Sequence, residues 1–197
     1  MTERFLPYGR QFIDEADIEA VTRVLKSDYL TTGPEIDAFE RQFARVTAAA
    51  EAVACSNGTT ALHLALAGLG VGEGDLCIVP TITFMATANA VRYCGGKVIF
   101  ADVDPDTGLM TRNTLADAMA RAGGPVKAIL PVHLGGQSCD MAAIADLARE
   151  SGAVIVEDSC HAIGTQRAGG RVGDGKFADA ACFSFPPVKT IASGEGG

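Results

Sequence analysis

The chain has 197 residues, and at roughly 100 to 200 residues per domain that length predicts one domain or one and a half. Hydrophobic residues make up 48% and charged residues 20%, an ordinary globular composition outside the regime of intrinsic disorder. Acidic residues outnumber basic ones by 24 to 16, for a net charge of -8, and with no Lys/Arg cluster to offset that field the sequence argues against a nucleic-acid partner. At the N-terminus, residues 1–7 lack the apolar run of a secretory signal, and no segment has the ~20 uninterrupted apolar residues of a bilayer span. A cytoplasmic protein with no membrane partner is expected. Residues 13–25 carry apolar side chains at three- and four-residue steps, with acids early and Arg23 and Lys26 late, which predicts an amphipathic helix. Turn chemistry at residues 28–34 precedes a second predicted helix at 35–46.

Beyond residue 50 short apolar runs alternate with helical stretches. Strands are predicted at 52–55, 76–79, 97–101, 126–131, 153–157 and 180–185, and helices near 59–69, 86–93, 115–121 and 141–149. Strands that are apolar almost throughout and alternate with helices predict an α/β fold, a mainly parallel sheet covered on both faces. The division expected is an N-terminal helical segment, 1–50, and a larger unit, 51–197. Six cysteines without any C-x-x-C pair read as reduced core residues.

Three motifs fail on context. Gly68-Leu69-Gly70-Val71-Gly72-Glu73-Gly74 follows a helix and precedes a strand, the reverse of a dinucleotide fingerprint. Gly170-Arg171-Val172-Gly173-Asp174-Gly175-Lys176 has P-loop spacing, but Phe177 stands where a magnesium-binding hydroxyl is required. Asp102, Asp104 and Asp106 resemble the start of a calcium loop, yet Thr107 replaces its glycine, and a strand-end turn is the better reading. The three histidines show no metal-ligand spacing, so no metal site is expected.

In open parallel sheets, ligands sit beyond the carboxyl ends of the strands. There the chain places Gly58, Thr59 and Thr60 at a helix start, then Phe84, Asp158, His161 and finally Lys189. Taken singly each has a plainer reading: helix cap, core ring, turn cap, surface lysine. Together they are the parts for holding pyridoxal phosphate: amides at the positive end of a helix for the phosphate, a ring to stack, an acid for the pyridine nitrogen, and a lysine for the Schiff base.

The order of the motifs carries a resemblance. Ser56-Asn57-Gly58-Thr59-Thr60-Ala61-Leu62, Pro80-Thr81-Ile82-Thr83-Phe84-Met85-Ala86-Thr87-Ala88-Asn89, Pro131-Val132-His133-Leu134-Gly135-Gly136-Gln137, Glu157-Asp158-Ser159-Cys160-His161-Ala162-Ile163-Gly164, and Phe183-Ser184-Phe185 through Lys189 to Gly194-Glu195-Gly196-Gly197 resemble the sugar-nucleotide aminotransferases of the DegT/DnrJ/EryC family along essentially the whole chain. Within it, Tyr8-Gly9-Arg10-Gln11, Gln137-Ser138-Cys139-Asp140-Met141 and His161-Ala162-Ile163-Gly164 look most like the pseudaminic acid branch, whose members move an amino group from glutamate to C4 of a UDP-linked 4-keto-6-deoxy-N-acetylhexosamine. The resemblance implies the large domain of a fold-type I pyridoxal 5'-phosphate enzyme, a homodimer when full length, with Lys189 and Asp158 catalytic. It further implies that Gly58 and Thr59 hold the phosphate, that Phe84 stacks on the ring and Asp158 pairs with its nitrogen. His161 would reach the phenolic side or support Asp158, Ser184 would contact phosphate or sugar, and Tyr8, Asp28, Tyr29, Leu30 and Thr31 would contact substrate.

The chain departs from the family pattern twice. Pro186 stands where the family usually has a histidine, and the sequence is about half a family length, without the small C-terminal domain; a fragment inactive by itself is the expectation. The alternatives are another 3- or 4-aminotransferase of the family, its 3-dehydratase branch, which Lys189 argues against, and a binding module that keeps the fold without the chemistry.

Overall fold

The computed structural model describes residues 9–197. Two helices, α1 (Glu15–Leu25) and α2 (Pro34–Thr47), lead into alternating units: α3 (Gly58–Gly68), β1 (Leu76–Pro80), α4 (Met85–Tyr93), β2 (Lys97–Ala101), α5 (Arg112–Arg121), β3 (Val126–Ile129), α6 (Met141–Ser151) and β4 (Val154–Asp158). A short antiparallel pair, β5 (Gln166–Arg167) and β6 (Gly170–Arg171), precedes β7 (Ala180–Cys182). The main sheet is five-stranded in the order β2-β1-β3-β4-β7, and every pairing in it is parallel. No described helix is long and apolar enough to cross a membrane.

The alternation of side chains along a strand builds a core on each face. Ile78, Ile129 and Ile155 enter one layer with Leu115 and Ala118 of α5 and Ile144 and Ala148 of α6. Their neighbours Cys77, Val79, Ala128, Leu130 and Val156 enter the other, with Leu62 and Leu66 of α3 and Ala90 and Val91 of α4. Strands packed on both sides are apolar at most positions, Glu157 and Asp158 of β4 excepted, which is why they are legible as continuous runs.

Helix starts follow local chemistry. Asn57 accepts from the Thr60 amide at 2.9 Å, and Asp140 from that of Ala143 at 3.2 Å, each satisfying an amide that the first turn leaves unpaired. Asp14 and Asp17 form a reciprocal cap at α1. The apolar stripe of α1, Ile18, Val21 and Leu25, is nevertheless exposed, and α1 contributes no buried residue.

Three predicted strands need correction. Residues 52–55 form none: among the described residues the Cys55 backbone pairs only with Gly197, donating at 2.8 Å and accepting at 3.1 Å, and one isolated bridge joins Asn57 to Gly196. An apolar run without a paired neighbour has no ladder to make. Strand β7 ends at Cys182 because Phe183 and Phe185 leave the ladder to pack edge-on against Phe43 of α2, with ring centroids 5.1 and 5.5 Å apart. Strand β3 ends at Ile129, although Val132 still bridges to Asp158. The β5–β6 pair, with two residues per strand, is too short to leave an apolar run in the sequence. Asp104 closes a turn, its Oδ1 accepting from the amides of Asp106 and Thr107, as the strand-end reading expects. All six cysteines are free thiols.

Truncating the fully buried Leu115 to alanine is expected to cost about 2–5 kcal/mol in chemical unfolding of the complete protein. Arg149→Ala, on the solvent face of α6, should stay within about 0.5 kcal/mol.

Candidate active site

Strand β4 sends Val156 and Asp158 to the α3/α4 side of the sheet. Asp158 is 5% exposed. Its backbone is pinned to the neighbouring segment, the amide donating to Pro131 O at 2.9 Å and the carbonyl accepting from His133 N at 3.0 Å. Its carboxylate accepts from the Thr87 hydroxyl at 2.6 Å on Oδ2 and from the Cys160 amide at 3.3 Å on Oδ1. Among the described residues no ion pair includes Asp158. A carboxylate has about four lone-pair sites, so this buried acid keeps capacity for a further donor.

Gly58 begins α3 close to the same strand end. A Cβ at this position would lie 2.7 Å from Ser184 Cβ and 3.0 Å from both Ser184 Oγ and Cys160 Sγ, so only glycine lets the helix start approach residues 160 and 184 this closely. With Asn57 capping Thr60, the amides of Gly58 and Thr59 remain for an external acceptor at the positive end of the helix. Burial, and then the Asp158 charge, push the Cys160 thiol well above its usual range, which keeps it neutral beside this cradle.

Phe84 caps α4 and is 69% exposed, an open ring at the strand end. One turn on, the buried Thr87 accepts from or donates to Thr83 Oγ1 at 2.6 Å and lies 3.1 Å from Phe84 O. With its proton directed to the charged Asp158, the Thr83 hydroxyl is the donor between the two threonines. Thr87 thereby joins the acid to the turn that presents the ring.

Lys189 is half-buried, and its amide donates to Pro186 O at 2.9 Å. Pro186 and Pro187 therefore lie within a closed turn, and Ser193 N bonds back to Phe185 O at 2.9 Å. Desolvation first, and then the Lys189 ammonium, push the His161 imidazole below its ordinary range, with Asp158 opposing. Lys189 also acts on the Cys160 thiol, lowering it against the dominant burial. The Lys189 ammonium thus lies within electrostatic range of Cys160 and His161. His161 Nδ1 accepts from Gly135 N at 3.4 Å.

The structure therefore brings together Gly58, Thr59, Asp158, His161, Ser184 and Lys189 at the carboxyl end of the sheet, with Phe84 beside them. It does not bring Asp28, Tyr29, Leu30 and Thr31 to that place: all four are exposed in the turn between α1 and α2, and the last three line a small separate pocket of about 120 Å³. Tyr8 lies outside the described residues, although Gly9 approaches Val188, the residue before the lysine. Sequence reasoning missed Thr87 and Cys160. The available signal for Thr87 was a hydroxyl on the buried side of an otherwise apolar helix, three residues after Phe84.

Residues present fit pyridoxal phosphate on this geometry: a buried carboxylate with no ion-pair partner among the described residues, a helix start that only glycine can bring against Ser184, and a half-buried lysine within electrostatic range of Cys160 and His161. The comparisons with known proteins agree. The spore coat polysaccharide biosynthesis protein SpsC of Bacillus subtilis (strain 168) is 41% identical over 98% of this chain and 48% of its own. The UDP-4-amino-4-deoxy-L-arabinose–oxoglutarate aminotransferase of Shewanella sediminis (strain HAW-EB3) is 39% identical over 100% of this chain and 49% of its own. A Streptococcus pneumoniae protein described as a sugar aminotransferase superposes in its PLP form with a TM-score of 0.87 at 32% identity, covering 97% of this chain and 51% of that one, and it is also known in a PMP form. The chain spans about half the length of the curated relatives it matches. The model of the DegT/DnrJ/EryC1/StrS aminotransferase family matches residues 11–197, and the chain belongs to that family.

Proposed function

We propose that this chain is the cofactor-binding part of a pyridoxal 5'-phosphate-dependent aminotransferase that transfers an amino group from glutamate to C4 of a UDP-linked 4-keto-6-deoxy-N-acetylhexosamine. The observation that carries the cofactor reading is the buried Asp158 carboxylate, without an ion-pair partner among the described residues, in the same space as Lys189 and the start of α3. The sugar-nucleotide part rests on the family, on the name of the Shewanella relative, and on the likeness of the His161 and Gln137 motifs to the pseudaminic acid branch. The acceptor sugar, the glutamate donor, a homodimeric full-length form and a cytoplasmic location belong to this proposal.

When bound, the cofactor supplies an aldehyde and a protonated heterocycle that withdraws electrons from the reacting carbon. Asp158 would accept from the ring N–H and, as a buried carboxylate, would keep that proton in place. Thr87 donates to Oδ2, which orients the carboxylate and leaves Oδ1 turned toward Cys160 N and the site. The amides of Gly58 and Thr59 would hold the phosphate at the helix start, and the Ser184 hydroxyl is close enough to the same turn to add a donor. Phe84 would stack on the ring. Lys189 would be the amine that holds the aldehyde end, and as a free amine it would be the base that moves a proton there. His161, neutral at neutral pH, stands at the rim beside the lysine.

The complete gene product loaded with cofactor should show a visible absorbance band, and Lys189→Ala should abolish it; a wild-type protein without the band, or a variant that retains it, contradicts the proposal. Thr87→Val removes one hydrogen bond to a charged group, about 1.5–3 kcal/mol. It should lower kcat about ten- to a hundredfold while leaving the band in place, as measured by steady-state kinetics on the sugar nucleotide.

A further inference from the structure

Glu157 and Asp158 are both buried, 1% and 5% exposed, and the alternation of β4 turns them to opposite faces of the sheet. On the back face Glu157 Oε1 accepts from Arg167 Nη1 at 2.6 Å, and Oε2 accepts from the Gly173 amide at 3.1 Å. His133 Nε2 lies 3.5 Å from Oε2. Because His133 Nδ1 accepts from Cys139 N at 3.1 Å, the network assigns the imidazole proton to Nε2, facing the acid. Arg167 Nη2 extends the cluster to Asp174 Oδ1 at 2.6 Å. Burial pushes the Glu157 carboxyl up, and the proximity of His133 and the bond from Arg167 outweigh it, so the group remains an anion.

A buried ionic cluster is a poor source of cohesion, since apolar residues of similar volume often serve as well or better. What this one supplies is geometry, because each partner of Glu157 belongs to a segment that reaches the front of the sheet. His133 also donates its backbone amide to Asp158 O. Gly173, at φ +87°, lies against the Phe183 ring, where a Cβ would fall 2.8 Å from Cζ, and Phe183 precedes Ser184. Arg167 belongs to the β5–β6 pair that follows the His161 loop.

We propose that Glu157 is a positioning residue for the cofactor site: by gathering His133, Arg167 and Gly173 behind the sheet, it fixes the separation between Asp158 and Ser184 in front of it. The inference rests on reading Asp158 and Ser184 as ligands of the two ends of one rigid cofactor. Such a ligand satisfies both contacts only if their spacing is held to within a fraction of an ångström. Loosening the back cluster therefore weakens binding and the hold on the ring nitrogen together.

The test uses the complete protein and pyridoxal 5'-phosphate itself. Glu157→Gln removes one of the two carboxylates on Arg167, which stays paired with Asp174; the deciding variant is the double replacement Glu157→Gln with Arg167→Met, in which Asp174 keeps its bonds from the Arg171 and Lys176 amides. Both are expected to raise the cofactor Kd about tenfold, the loss of about 1.4 kcal/mol of hold, and to shift the pH midpoint of the bound-cofactor band by about half a unit or more. Leu115→Ala, destabilised elsewhere, should leave both readouts at their wild-type values. A folded double variant with wild-type Kd and pH midpoint overturns the inference alone, and a double variant that fails to fold also overturns it, because the cluster would then be serving cohesion. A wild-type protein that takes up no cofactor overturns the proposed function and this inference with it.

Discussion

The site depends on one costly arrangement, a carboxylate buried at the end of a central strand without a cation paired to it among the described residues. Burying a charge in that way is unfavourable unless hydrogen bonds replace the lost water. Asp158 has two such bonds, from the Thr87 hydroxyl and the Cys160 amide, and room for another. In the proposed function the ring N–H of the cofactor is that donor, so the same group that strains the free protein organises the loaded one.

The parallel sheet is what makes the arrangement possible. It gathers the carboxyl ends of its strands on one edge, so that α3, α4, the loop after β4 and the turn after β7 deliver an amide cradle, a hydroxyl, an acid and an amine from distant parts of the chain. The two faces then divide the work. Asp158 turns toward α3 and α4, and Glu157 toward a cluster that ties the surrounding segments to β4. Phe183 and Phe185 anchor the stretch leading to Lys189 against α2, which sets the starting point of the lysine turn.

Legibility in the sequence follows the same physics. Strands at 76–79, 97–101 and 153–157 lie within a residue of the observed ends of β1, β2 and β4, because the middle of each is a run of apolar side chains. The run at 52–55 misled, since apolar content says nothing about whether a partner strand lies alongside. Gly58, Asp158 and Lys189 stood out by their places after strands. Thr87 did not, because a threonine in a helix draws no notice until a carboxylate 71 residues away comes within 2.6 Å. Asp28, Tyr29, Leu30 and Thr31, whose motif resembles a substrate segment, lie exposed between two helices. Likewise the P-loop-like glycines at 170–175 owe their pattern to a tight connection, in which Gly173 donates its amide to Glu157 and leaves space for a phenyl ring.

The most direct measurement is the protonation state of the cofactor's ring nitrogen in the complete protein, read by ¹⁵N NMR with pyridoxal 5'-phosphate labelled at that atom. A protonated nitrogen at neutral pH, lost when Asp158 is replaced by asparagine, is the expected result. An unprotonated nitrogen in the wild-type protein, or one indifferent to Asp158, would contradict the pairing of that buried acid with the ring.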